Sequence, residues 1–196
     1  GPGALRHNRP SASTCLPAMS DPRYSAPAVV LHWLVALLIF VAFPLGLYMH
    51  ELPLSPTKLK LYSWHKWIGI TALALALLRV LWRATHTPPP PPALADWERR
   101  LSALTHAALY ALIVGVPLTG WLMSSAKGFQ TVWFGVLPLP DLVGKSRELG
   151  EALAEVHKIL NFGMAGLVFL HVAGALKHQF VDRQPLLRRM GFGARP

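Results

Sequence analysis

Four long apolar runs, each interrupted by few charges, dominate the pattern of the chain, at roughly 29–49, 62–83, 103–123 and 153–180. About 20 apolar residues wound as a helix rise about 30 Å, the thickness of a bilayer's hydrocarbon core. The pattern therefore predicts four membrane-crossing helices and leaves no length for a second domain. Between them lie a short connection at 50–61, one opened by Pro88-Pro89-Pro90-Pro91-Pro92, and a longer one around 124–152. The proline run cannot continue a helix and reads as a stiff extended spacer. The expected fold is all-α, an integral four-helix bundle over 24–190. Segment 1–23, rich in Gly, Pro, Ser and Arg, is expected to be disordered, and 191–196 forms a short tail. Residues 1–18, ahead of Met19, read as an expression remnant or an unprocessed leader. The first apolar run is too long for a signal peptide, and Phe43-Pro44-Leu45-Gly46 offers no small-residue cleavage site, so it is expected to stay.

Composition agrees with lipid as the solvent: of 196 residues 53% are hydrophobic and 14% charged. A net charge of +10 raises nucleic acid as a partner, but the basic residues gather at span ends and form no aromatic-interleaved stripe, which excludes it. Topology accounts for them instead. With both termini on the cytoplasmic side, twelve Lys and Arg fall inside and seven outside, the sense favoured by the positive-inside rule. Trp33, Trp64, Trp67, Trp82, Trp97 and Trp121 sit near span ends, where indole suits the headgroup layer. Cys15 is the only cysteine, so internal disulfides and thiolate-held zinc or iron–sulfur clusters are excluded.

The histidines change the picture more. His157, His171 and His178 follow one another by fourteen and then seven residues. In a helix fourteen residues return to nearly the same face, within about 40°, and climb about 21 Å. An unpaired imidazole in hydrocarbon is costly, so His171 needs a partner. A plain interhelical hydrogen bond would satisfy it. Partners at matching depth suggest more: His32 opens the first span at the level of His171, and His65 opens the second at the level of His157. Two facing pairs at two depths is what two bis-imidazole haems require, since haem iron takes an axial nitrogen from each side. No Cys-x-x-Cys-His occurs, so such haems would carry no thioether bonds.

The same step of fourteen leads from His65 to Arg79, an arginine in an apolar run at the level of the inner pair. A guanidinium there suits a haem propionate, although an arginine near a span end also snorkels to water. From His32 it leads to Gly46, which leaves clearance for a porphyrin edge at the outer level or simply permits close helix packing. His106 and His178 lie near the inner level without matched partners. They read either as ordinary interfacial histidines or as neighbours of the inner haem and a quinone headgroup, where imidazole can bind a quinone oxygen and relay protons.

These residues also carry a resemblance. Leu31-His32-Trp33-Leu34, Trp64-His65-Lys66 with Arg79, His106-Ala107-Ala108-Leu109-Tyr110, Gly120-Trp121-Leu122-Met123, and His157, His171 and His178 ending in Leu187-Arg188-Arg189-Met190 follow one another from about Tyr24 to Met190. In order and spacing they resemble the prokaryotic cytochrome b561 family, four-helix di-haem membrane cytochromes that include the superoxide oxidase. The resemblance implies two haems b, ligated by His32 with His171 and by His65 with His157. It further implies an electron donor at the outer haem and ubiquinone near the inner one, with His178 looking like a quinone-site residue. In the superoxide oxidase branch the donor is superoxide. Lys66 and Lys158 directly follow the two outer ligands and would steer a small anion, diluted by Glu51, Asp141, Glu148, Glu151 and Glu155 on that side.

The expected activity is transfer of electrons from superoxide, or another outer donor, to ubiquinone in the bacterial inner membrane. A second class is a membrane anchor and electron conduit for a dehydrogenase or a periplasmic redox partner. A third is a haem-free transporter or metal carrier using the same histidines. Whether the chain forms a homo-oligomer stays open.

Overall fold

The computed structural model describes residues 23–92 and 94–192. Segment 1–22, with Arg6, Arg9 and Cys15, and residues 193–196 of the expected tail lie outside the described residues. Four long helices follow one another: α1 (Ala26–Glu51), α2 (Pro56–Thr85), α3 (Asp96–Ala126) and α4 (Arg147–Leu176). All four are long and apolar enough to cross a membrane. Each expected span lies within one of them, the fourth running on into a five-residue π-turn, Lys177–Val181. A last short helix, α5, covers Leu186–Arg189.

The helices begin beyond the apolar runs because polar caps set their starts. Ser55 Oγ accepts the Lys58 N–H at 3.2 Å, with Pro56 at the first helical position, and Ser146 Oγ accepts the Leu149 N–H at 3.3 Å. At the start of α3 the Glu98 carboxylate accepts the Ala95 N–H at 3.3 Å, and Asp96 adds a second negative charge where the helix dipole favours one. The connection between α1 and α2 is so short that the two helices are antiparallel neighbours, as in up-and-down bundles.

Helix α1 packs on α2, α2 on α3 and α3 on α4. Val35, Ala76 and Ile113, one from each of the first three helices, form the centre of the core, with Ile39, Leu75, Tyr110 and Val114 against them. Between α1 and α4 the packing opens into an apolar cleft of about 280 Å³, lined by Ile39, Phe43, Met164 and Val168 among others. Large apolar side chains such as Leu37, Phe40, Leu81 and Phe169 face outward, as lipid allows and water would not.

The expectation of a purely α fold misses one feature. The connection after α3 carries a two-stranded antiparallel hairpin, β1 (Val132–Trp133) and β2 (Leu137–Pro138), with Val132 opposite Pro138. Phe134 and Gly135 take the turn at φ of 50° and 72°. Strands of two residues are too short to show an alternating pattern. Tryptophans hold the hairpin in place: the Trp67 indole donates to the Val132 carbonyl at 2.7 Å, and that of Trp133 to Thr71 Oγ1 at 3.2 Å. Trp121 donates to the Pro140 carbonyl, Trp33 to that of Met190 and Trp82 to Ser25 Oγ. Trp33, Trp67, Trp82 and Trp121 therefore fasten chain segments to one another, beyond the headgroup anchoring expected of them.

Ala76 is fully buried where three helices meet. Ala76→Leu is expected to overpack that junction and cost about 1–3 kcal/mol, read as a lowered unfolding midpoint in detergent.

Candidate functional site

Two pairs of imidazoles face each other at opposite ends of the bundle. At the end of the bundle where the described residues begin and finish, the terminal end, His32 of α1 and His171 of α4 have ring centres 6.2 Å apart at an interplanar angle of 63°. At the hairpin end, His65 of α2 and His157 of α4 stand 6.4 Å apart at 88°. Helix α4 supplies one ring to each pair, and its fourteen-residue interval separates them by about 21 Å along its axis. His106 also lies at the terminal end, its ring 5.0 Å from that of His171, edge to face.

Those spacings discriminate between the rings. Two imidazoles bound through one nitrogen each to opposite sides of a single metal ion, with bonds of about 2 Å, have ring centres about 6 Å apart. The His32–His171 and His65–His157 separations match that value. His106 is closer to His171 than it allows, and its Nδ1 lies 2.6 Å from the Ser102 carbonyl of its own helix.

At the hairpin end the backbone is cut away around both rings. A Cβ on Gly46 would lie 3.2 Å from His65 Cε1, and one on Gly120 would lie 3.1 Å from His157 Cε1. Gly46 thus gives room to the His65 ring itself. His157 Nδ1 lies 3.0 Å from the Val116 carbonyl and 3.1 Å from Thr119 Oγ1. A carbonyl can only accept, so Nδ1 carries the proton and Nε2 keeps its lone pair. His65 Nδ1 is buried without a hydrogen bond inside normal limits, and the Ala42 carbonyl on α1 is the acceptor it approaches.

Arg79 lies at the terminal end, its guanidinium 5.3 Å from the Tyr110 ring and close enough to interact electrostatically with both His32 and His171. His178 belongs to a separate polar group. Its Nδ1 is 2.6 Å from Asp182 Oδ2, and the Lys177 ammonium bridges Asp182 at 3.0 Å and Glu98 of α3. Lys177 first, and then His178, hold the Asp182 carboxyl below the usual carboxylate range. At the hairpin end Lys66 donates to the Phe129 carbonyl at 3.1 Å, and Lys158 lies 3.8 Å from Glu155.

Several contributors escape a reading of the sequence. Gly120 had a signal, since it stands fourteen residues after His106 just as Gly46 stands fourteen after His32. The Val116 carbonyl, a main-chain group on the peptide bond to Pro117, had none. Glu98 and Asp182 meet through Lys177 only because the chain folds α3 against the end of α4.

The model of the prokaryotic cytochrome b561 family matches residues 23–193. The chain belongs to that family. It is 32% identical over 170 residues to cytochrome b561 homolog 2 of Escherichia coli K12, covering 86% of this chain and 90% of that protein. It is 27% identical over 174 residues to the probable superoxide oxidase CybB of Yersinia pestis, covering 86% and 95%. As a prokaryotic cytochrome b561 the chain is a multi-pass protein of the bacterial inner membrane with an oxidoreductase-type electron-transfer role, and the family implies haem b. The residues present fit such a group: a neutral ring with its Nδ1 satisfied and Nε2 open, set opposite a second ring at the spacing an axial pair needs.

Gly120→Val is expected to push the His157 ring aside and lower haem content per chain. Gly115→Val, where no atom lies within 4 Å of an added Cβ, is expected to leave it unchanged. Haem quantitation of the two purified variants checks this.

Proposed function

We propose that this cytochrome b561 holds two haems b and carries electrons from superoxide on the periplasmic side to ubiquinone near the cytoplasmic side. The observation that carries this reading is the pair of facing imidazole couples at opposite ends of the bundle, joined by α4. His32 and His171 would hold the haem at the terminal end, and His65 and His157 the one at the hairpin end. Both termini lie on the cytoplasmic side in this reading, in keeping with the distribution of Lys and Arg. Bound haem supplies one-electron carriage, which lets two successive superoxide oxidations feed one two-electron reduction of quinone.

The protein's own groups do the rest. The facing imidazoles would hold the iron of each haem, and the Val116 carbonyl sets the tautomer of His157. Arg79 lies beside the inner pair, where its charge would balance a propionate and raise the affinity of that site for electrons. Lys66 and Lys158, next in sequence to the outer ligands, give superoxide a positive approach. His178 offers a titratable nitrogen to a quinone oxygen at the inner end. The name of the Yersinia pestis relative supports superoxide as the donor.

Rapid mixing of the purified, haem-loaded protein with superoxide and ubiquinone tests the reading. Fast haem reduction followed by quinol is expected, and the absence of both ends it. His171→Ala is expected to remove the inner haem and spare much of the outer, and His65→Ala the reverse. A spectrum that loses both equally in a folded variant contradicts the pairing. Arg79→Leu is expected to shift the potential of the inner haem more than that of the outer, measured by redox titration.

A further inference from the structure

The polar group at the end of α4 does more than cap a helix. From Lys177 to Val181 the chain widens into a π-turn, closed by the Asp182 N–H on the Lys177 carbonyl at 3.2 Å. At 100° per residue, positions five apart in an α-helix point about 140° away from each other. The wider turn brings Lys177 and Asp182 to the same side, 3.0 Å apart. It also leaves Asp182 Oδ2 on His178 Nδ1 at 2.6 Å, with the His178 side chain only 13% exposed. From across the interface Glu98 holds the other side of Lys177 while its second oxygen caps α3. The charged groups around His178 are therefore Asp182 and Lys177 from its own segment and Glu98 from α3.

An ionised carboxylate only accepts hydrogen bonds, so the contact with Asp182 requires the proton on Nδ1 and leaves Nε2 as the free nitrogen of His178. We propose that Asp182 is a positioning residue for quinone reduction: it fixes the ring and tautomer of His178 so that Nε2 passes a proton to the quinone oxygen. This rests on the reading of His178 as the quinone-site histidine. The balance is simple. Quinone reduction needs two electrons, which bound haem would supply, and two protons, which come from the adjacent water phase. His178 takes up one of those protons at Nε2, with the carboxylate of Asp182 stabilising the imidazolium, and releases it to the quinone oxygen.

The test uses the full-length, haem-loaded protein, reduced chemically and mixed with a short-chain ubiquinone while haem reoxidation is followed. Asp182→Asn is expected to slow the maximal reoxidation rate about tenfold to a hundredfold, with half-saturating quinone and the haem spectrum little changed. Asp182→Glu is expected to recover most of that loss. Glu98→Gln breaks the clamp on Lys177 without touching the Asp182–His178 contact, and is expected to keep the wild-type rate. An unaltered rate in Asp182→Asn overturns the proposal. So does an equal slowing in Glu98→Gln, or haem loss in both Asp182 variants, since either makes the group a structural clamp. His178→Ala separates the two ideas: if it reoxidises like the wild type, quinone does not use His178, whereas a slow His178→Ala beside a normal Asp182→Asn removes only Asp182.

Discussion

An imidazole in hydrocarbon must be partnered, and that single cost organises this molecule. The rings of His157 and His171 are met by groups on neighbouring helices. The partners are other rings, main-chain carbonyls and one hydroxyl, all supplied by helices whose outer faces are left to lipid. Beside these polar contacts an apolar cleft opens between α1 and α4.

The two ends solve the problem differently. At the hairpin end both rings stand against glycine, and the His157 ring is locked by a carbonyl on the peptide bond ahead of Pro117. At the terminal end the His32–His171 couple has His106 and Arg79 beside it, so its surroundings are more polar and more positive. If each couple holds a haem, as proposed, such a difference in surroundings is a physical means of giving the two haems different potentials.

Much of this was legible in the residue pattern. Four apolar runs correspond to the four helices, and a step of fourteen residues links His157 with His171, His65 with Arg79 and His32 with Gly46 in the sequence itself. The helical period makes such relations visible because it maps sequence distance onto both face and depth. What stayed hidden depends on contacts between segments remote in sequence, such as Lys177 with Glu98 or Trp67 with the Val132 carbonyl. Main-chain carbonyls leave no trace in residue type, and a hairpin of two-residue strands has no period to read. Gly46 was noticed for the clearance it gives, while the atom nearest to it proved to be the ring of His65.

Helix α4 serves both couples, so the register between the two ends of the protein is stored in one uninterrupted rod. Adding or deleting a single residue between His157 and His171 would swing one imidazole by about 100° around that rod and shift it by about 1.5 Å. No loop intervenes to absorb the error. The interval of fourteen is thus a fixed gauge between the two ends.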